Sequence, residues 1–581
     1  MISVAAPAAD RLGGFVRTQL WPNRPRVRAF LRTEVALLIA TFVVVTFKPS
    51  ASYWIVVYLL LVSSPLVGNS VLDAIQRFYA SIVGCAVAVL VIIMALDEPW
   101  LYRPLEAVIL GLALFLARGT PLGPMALTAG TTFAIISGSD VGEDPEGLIT
   151  LSFYRILHAV IGSAIGAFVQ LTFWSDDPLD VLKLSLRTQL AQVEASLRGE
   201  PVALDAARLA RHFELLAAAQ VRHPELLHRR TEIGEVIVDV ARVVDATIRQ
   251  QAMPAAREPT GALLDEARRA LRRWQAPELF HPPAPPPPAP PVTWRLGLHE
   301  SMAPLRRAAI KIALSAFIAA MITQLLGYPS AGALFSALTV GLEVTTGSST
   351  FKPLLMIGGV ALGFAVFVLV VRPWMPNLDD PGSLLVLAAV AFAPTAWMTI
   401  GGPRVRNGGV FGTVIVAIGL FQNFRPAVDL EATARFALSV AIGPLVVAFV
   451  DRLVWPVDAR RGMVERAVLL MRDVAALYRE PDPRVVLAPN RKARWRAWRH
   501  LIALVQLRSE RVPLPGAPGF ELEDEALRLT ADAEHLLVAR IHQARDELAG
   551  AAVSAEMKAT RERTAAALEA NARELANRAT Q

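Results

Sequence analysis

The sequence predicts an all-α integral membrane protein made of two tandem repeats, each with about six transmembrane helices followed by a cytoplasmic helical domain. Three observations predict it. Of 581 residues, 54% are hydrophobic and only 19% charged, with a mean hydropathy of +0.43, which is too apolar for a soluble chain of this length. Apolar runs approaching the roughly 20 residues needed to cross a bilayer recur in two groups. Short sequence anchors recur 280 residues apart.

Taken in order, residues 1–28 carry five arginines and no long apolar core. They read as a cytoplasmic N-terminal segment and not as a cleaved leader, with insertion beginning at the first helix. A first bundle, 29–174, holds candidate helices at 33–47, 51–67, 78–96, 104–117, 122–137 and 151–174. Residues 175–304 follow as a helical domain. In it "KLSLRTQLAQVEASLR" and "EVIVDVARVVDATIRQ" place apolar residues three and four apart, the mark of one buried helix face. The run "PPAPPPPAPP" at 282–291 suits neither helix nor sheet and reads as a stiff polyproline linker. A second bundle, 305–455, holds candidates at 308–326, 331–346, 354–371, 384–400, 408–421 and 432–455, and 456–581 forms a C-terminal helical domain.

The repeat rests on three anchors at one offset. "KPSA" at 48–51 matches "YPSA" at 328–331, Arg155 matches Arg435, and Leu197, Glu200 and Pro201 match Leu477, Glu480 and Pro481. An even number of spans per copy gives parallel halves and a pseudo-two-fold axis along the membrane normal. Arg17, Arg24, Arg26, Arg28 and Arg32 precede the first helix, whereas "SDVGEDPEG" at 139–147 and "NLDDPG" at 377–382 make alternate loops acidic. This bias predicts a multi-pass protein with both termini and both polar domains cytoplasmic.

The net charge of +7 and isoelectric point near 9.8 follow from those flanking arginines, so nucleic acid is not expected as a partner. The single cysteine, Cys85, excludes an intrachain disulfide, and no Cys/His spacing suits zinc; no metal or cofactor is expected. There is no G-x-x-x-x-G-K-[ST] phosphate loop, no H-E-x-x-H and no G-x-S-x-G, so the chain is not expected to be an enzyme. Secondary transport or a channel remains.

Ionisable residues inside the spans are the default candidates, since a central arginine costs roughly 2.5–3.5 kcal/mol to insert. They are Glu106, Arg155, His158, Lys311 and Arg435, with Glu34 and Glu343 near helix ends. Arg155 and Arg435 read either as cations lining an anion path or as side chains snorkelling to headgroups. His158, three residues on, shares the Arg155 face and either titrates near neutral pH or is a hydrogen-bonded core histidine. Lys311 reads as a helix-end anchor and Glu106 as a counter-charge for an arginine. "TIGGPRVRNGG" at 399–409, with Arg404 and Arg406, and "RGTPLGP" at 118–124 interrupt both halves. They are either broken helices offering backbone N–H groups to an anion or two ordinary turns. Gly162-x-x-x-Gly166, Gly359-x-x-x-Gly363 and Gly408-x-x-x-Gly412 predict close helix crossings.

Pro49, Trp54 and Gly68, with "RFYASIVG" at 77–84 supplying Arg77, Ala80, Ser81 and Gly84, carry a family resemblance. The first half resembles the fusaric acid resistance and aromatic acid exporter family of bacterial inner-membrane proteins. The second half keeps Pro329, Gly347 and "GGVALG" at 358–363 but departs at the arginine, whose counterpart falls near Met356. The resemblance implies an exporter of aromatic carboxylates or related amphiphilic acids working with a periplasmic adaptor protein. The expected function is therefore secondary efflux of organic acid anions, with a passive organic-anion channel as the alternative and a non-transport membrane scaffold as a weaker third. The expected partners are the organic acid, the lipid bilayer, the adaptor and a second copy in a homodimer.

The orientation is tested by single cysteines in a Cys85→Ala background. Asp144→Cys and Asp379→Cys should react with a membrane-impermeant maleimide in intact cells, and Ala567→Cys should not. Labelling at position 567 in sealed cells would overturn the parallel arrangement.

Overall fold

Backbone N–H and C=O groups find no water in hydrocarbon, so each apolar run must satisfy its own hydrogen bonds as helix. The computed structural model describes residues 19–22, 24–49, 52–62, 70–95, 98–120, 122–139, 145–173, 302–342, 346–378, 380–421 and 429–455 of one unit. Of a second unit it describes 177–198, 459–483 and 554–580, with scattered positions from 212 to 274 and from 486 to 547. The first unit comprises Met1–Ser175 and Glu300–Pro456, and the second Asp176–His299 and Val457–Gln581. Among the described residues there is no strand. The polyproline linker at 282–291 lies outside them.

In the first unit the helices are α1 (Arg24–Phe47), α2 (Tyr53–Val62), α3 (Ser70–Ala95), α4 (Pro99–Gly119), α5 (Gly123–Ser137) and α6 (Pro145–Thr172). The second unit's α7 is Pro178–Leu197. The first unit continues with α8 (Met302–Leu325), α9 (Ser330–Val340), α10 (Thr346–Val366), α11 (Pro381–Thr399), α12 (Pro403–Phe421) and α13 (Leu430–Leu453). Helix α10 runs on through a π-helical turn, Phe367–Val371. Eight of these helices are long and apolar enough to cross a membrane: α1, α3, α4, α6, α8, α10, α11 and α13. Several begin earlier than hydropathy predicts. Helix α1 starts at Arg24 and α6 at Pro145, because hydropathy reads only the apolar middle while the backbone ladder continues into the polar flank.

Helices α2 and α9 sit innermost. Every described side chain of α2 from Trp54 to Leu60 is at most 3% exposed, and α9 is buried from Ser330 through Leu338. Helix α2 packs on α6 and α9 on α13; α3 packs on α5 and α6, and α10 on α12 and α13. Across the middle, α4 meets α8 and α1 meets α11, while α5 meets α9 and α2 meets α12. Apolar side chains of helices from both 24–172 and 302–453 share one core cluster.

In the second unit, α7 buries Leu179, Leu182, Leu186, Leu190 and Val193 along one face. Asp177 caps it, accepting from the Leu179 N–H at 2.9 Å while pairing with His223 at 2.8 Å. Helix α14 (Ala459–Arg479) packs against α15 (Ala555–Thr580). The last carbonyls of α14 need partners, and the fully buried Arg540 supplies them by donating to the Leu477 carbonyl at 3.2 Å and the Glu480 carbonyl at 2.9 Å. Burial holds the Arg540 guanidinium below the ordinary arginine value and pushes the Tyr478 phenol up.

The tightest crossing joins α10 and α12. A Cβ on Gly359 would collide with the Gly408 carbonyl, and one on Gly363 with that of Gly412. Gly359→Ala should therefore destabilise the bundle by about 1–3 kcal/mol, read as a lower thermal midpoint in detergent. Gly358→Ala, which would meet nothing within 4 Å, should match wild type or gain slightly. Equal melting of the two variants would remove the backbone-contact explanation.

Candidate functional site

Helix α6 lies almost backbone to backbone on α2. A Cβ on Gly162 would collide with the Ile55 carbonyl and come within 3.0 Å of the Leu59 nitrogen. Arg155, His158 and Gly162 follow the i, i+3, i+7 pattern of one helix face. The glycine contact thus turns both side chains towards α2. Arg155 is ten residues inside the α6 start, about 15 Å along the helix, which is deeper than the one turn that the predicted start at 151 implied. It is 2% exposed. Its guanidinium carbon lies 4.4 Å from the Trp54 ring centroid, a cation–π contact. The Tyr53 hydroxyl is its hydrogen-bonding neighbour, and Tyr58 and Cys85 stand nearby. Its Nε and Nη1 are buried without a hydrogen-bond partner. Such donors are costly to leave idle and are set to meet an acceptor.

Aromatic rings from several helices adjoin the Trp54 ring that carries this cation. Trp54 lies 6.4 Å from Phe335 of α9 and 6.4 Å from Phe436 of α13, and Tyr53 lies 6.2 Å from Phe436. Phe335 in turn is 5.2 Å from Phe411 of α12. His158 is fully buried and stacked with Tyr154, ring centroids 6.2 Å apart. Below, the Tyr58 hydroxyl and Thr132 hydroxyl share a hydrogen bond of 2.9 Å. A positive fork with apolar, aromatic walls can hold an aromatic or amphiphilic oxyanion. Among the described residues, no group of three or more His, Cys, Asp or Glu could hold a metal ion.

The other sequence-predicted residues are not brought to this centre. Arg435 stands five residues inside α13, exposed, and donates to Glu431 one turn earlier. The position matching Trp54 at the 280-residue offset is Leu334, so that place on α9 carries no ring for Arg435 to lie on. The Arg404 side chain lies outside the described residues, and Arg406 is half-buried at the start of α12. The two interrupted segments are turns joining α4 to α5 and α11 to α12, not breaks within a helix. At the second turn the Gly402 N–H donates to the Gln19 carbonyl at 2.9 Å, and the Trp397 indole donates to the Leu20 carbonyl at 3.1 Å. The chain's own segment before α1 already occupies donors that the broken-helix reading reserved for an anion. Lys311 is not a helix-end anchor: it is buried and pairs with Asp451 at 3.1 Å. Glu106 does pair with an arginine, Arg103, at 2.8 Å. Glu343 lies outside the described residues.

The motif residues are mostly packing. Pro49 is buried. Arg77 donates to the Thr128 hydroxyl at 3.2 Å, Ala80 and Ser81 are buried, and Gly84 abuts the α5 backbone at Ala129, so the motif stitches α3 to α5. Gly68 lies outside the described residues. Trp54 alone joins the site. Residues 38–169 match the family model described as fusaric acid resistance protein-like. That span contains Trp54, Arg77, Arg155 and His158, and it agrees with the resemblance drawn from the motif residues. No curated protein and no solved structure matches the chain.

Proposed function

We propose that the protein is a secondary efflux transporter that exports aromatic or other amphiphilic organic acid anions across the inner membrane. The observation that carries this is the Arg155 guanidinium, buried on the Trp54 ring with two donors unpaired, the ring itself neighboured by Phe335 and Phe436. A carboxylic acid of ordinary pKa, about 4, is an anion at neutral pH. A negative-inside potential favours its exit by about 2.3 kcal/mol per charge per 100 mV. The arginine bias of the flanks supports an orientation with both termini and the second unit in the cytoplasm. The tandem repeat is supported by the exchange of packing pairs: α2 on α6 answers α9 on α13, and α4 on α8 answers α1 on α11.

The test is flux of labelled benzoate into proteoliposomes at alkaline pH, with leakage into protein-free liposomes subtracted. Arg155→Gln at unchanged protein level should lower the protein-dependent flux at least tenfold, since a hydrogen bond to a charged group contributes about 1.5–3 kcal/mol. Arg155→Lys should restore it only in part, because an ammonium is a point charge without the planar fork. Arg435→Gln should transport like wild type. Wild-type flux in Arg155→Gln would withdraw the anion site. Uphill flux at zero potential distinguishes a transporter from a passive organic-anion channel.

A further inference from the structure

Four charged side chains of the first unit are buried among the described residues: Glu34, Glu106, Arg155 and Lys311. Two are compensated. Glu106 pairs with Arg103, which also reaches Gln324 at 3.3 Å and Ser330 at 3.4 Å, and Lys311 pairs with Asp451. Arg155 has its ring and its idle donors. Glu34, on α1 and 8% exposed, has neither carboxyl oxygen hydrogen-bonded. Helix α1 packs on α11, α6 and α2. From these, among the described side chains, α11 brings no titratable group, α2 brings Tyr53 and Tyr58, and α6 brings Tyr154, Arg155 and His158. Helix α1 itself brings Arg24, Arg26, Arg28 and Arg32 near its own start.

We propose that Glu34 is the bundle's proton acceptor, so that each organic anion settling on Arg155 is accompanied by one proton bound at the Glu34 carboxyl. The inference rests on the anion site proposed above. With Arg155 and Glu34 both ionised, the unpaired buried charges cancel. An arriving anion neutralises the guanidinium and leaves the carboxylate uncompensated in an apolar bundle, where a lone charge is expensive. Uptake of a proton from water, forming one O–H bond at Glu34 and changing no other bond, returns the interior to neutrality. A metal cation would need several oxygen ligands, and a single carboxyl with no acidic or histidine neighbour cluster does not supply them. By reciprocity, a protonated Glu34 strengthens anion binding as much as the anion strengthens proton binding. Anion affinity is therefore greatest at low pH and falls as the pH rises through the range in which Glu34 ionises. A cytoplasm acidified by a permeant organic acid would load the site most strongly.

The experiment is calorimetric titration of the full-length protein in nanodiscs with benzoate, in two buffers of unlike ionisation heat, so that protons taken up per anion are counted directly. Wild type should take up about one proton per benzoate where Glu34 is ionised, and its affinity should fall by up to about tenfold per unit rise in pH. Glu34→Gln should bind benzoate with the affinity of acid-side wild type, without proton uptake and without pH dependence. Glu34→Asp, which keeps an acid, should keep the uptake. The proposal is overturned by wild-type uptake in Glu34→Gln, or by its loss in His158→Gln with Glu34 in place. Benzoate binding by wild type without proton uptake overturns it while leaving the anion site standing. Loss of binding in both Glu34 variants at normal yield also overturns it, since the carboxyl would then belong to the anion site or to the fold. No heat from wild type in either buffer overturns the anion site and this inference together.

Discussion

The contact between the Arg155 guanidinium and the Trp54 ring depends on, and explains, much of the first unit. Its magnitude shows why it cannot be the whole account. A desolvated cation–π contact contributes about 2 kcal/mol or somewhat more, against roughly 2.5–3.5 kcal/mol to place an arginine at the centre of a membrane helix. The ring and the Tyr53 hydroxyl offset the larger share, and the two idle donors hold the remainder of the binding capacity. The same contact demands that α2 and α6 approach without side chains between them, which Gly162 allows. It also keeps the start of α2 enclosed, with Trp54 through Leu60 buried.

The two halves solve one sequence problem in two ways. Arg155 and Arg435 stand 280 residues apart, yet the first is enclosed and the second exposed and paired with Glu431. Depth and partner separate them: Arg435 is about a turn and a half from the α13 start, close enough for a long side chain to leave the bundle. The partner helices differ too, with Trp54 on α2 and Leu334 at the matching place on α9. A bundle with matched packing pairs therefore encloses one of the two arginines and leaves the other at its surface. The inner aromatic wall is nonetheless shared, since Phe335, Phe411 and Phe436 all come from the second half.

Hydropathy was a good guide to the apolar middles of the helices and a poor one to their ends. Helices α1 and α6 extend well beyond the apolar stretch because main-chain hydrogen bonding does not depend on side-chain polarity. Arg155 and His158 were legible as candidates because charge inside a span is expensive wherever it occurs. The Trp54 partnership was not legible, because it joins two helices about a hundred residues apart through a glycine contact that spacing alone cannot orient. Spacing also suggested an equivalence of Arg155 and Arg435 that environment does not sustain. Lys311 read as an anchor because its ion partner, Asp451, is remote in sequence. The glycine- and proline-rich interruptions resembled broken helices because a turn between short helices has the same composition as a break within one.

The distribution of buried charge gives the first unit a division of labour. Arg103–Glu106 is a closed pair within α4, and Lys311–Asp451 a closed pair that ties α8 to α13. Pairs of this kind contribute little net stability, since desolvation cancels much of the attraction, but losing one partner strands the other. They are suited to holding a fixed arrangement, because each charge already has its counter-charge. Arg155 and Glu34 have the opposite property: each is a buried charge without an ion pair among the described residues, and each keeps polar atoms with no hydrogen-bond partner. On packed helices, two such groups of opposite sign keep the interior neutral only while both or neither are satisfied from outside. An anion and a proton are the smallest pair of ligands that meet that condition, which is why the site's chemistry points to linked and not independent binding.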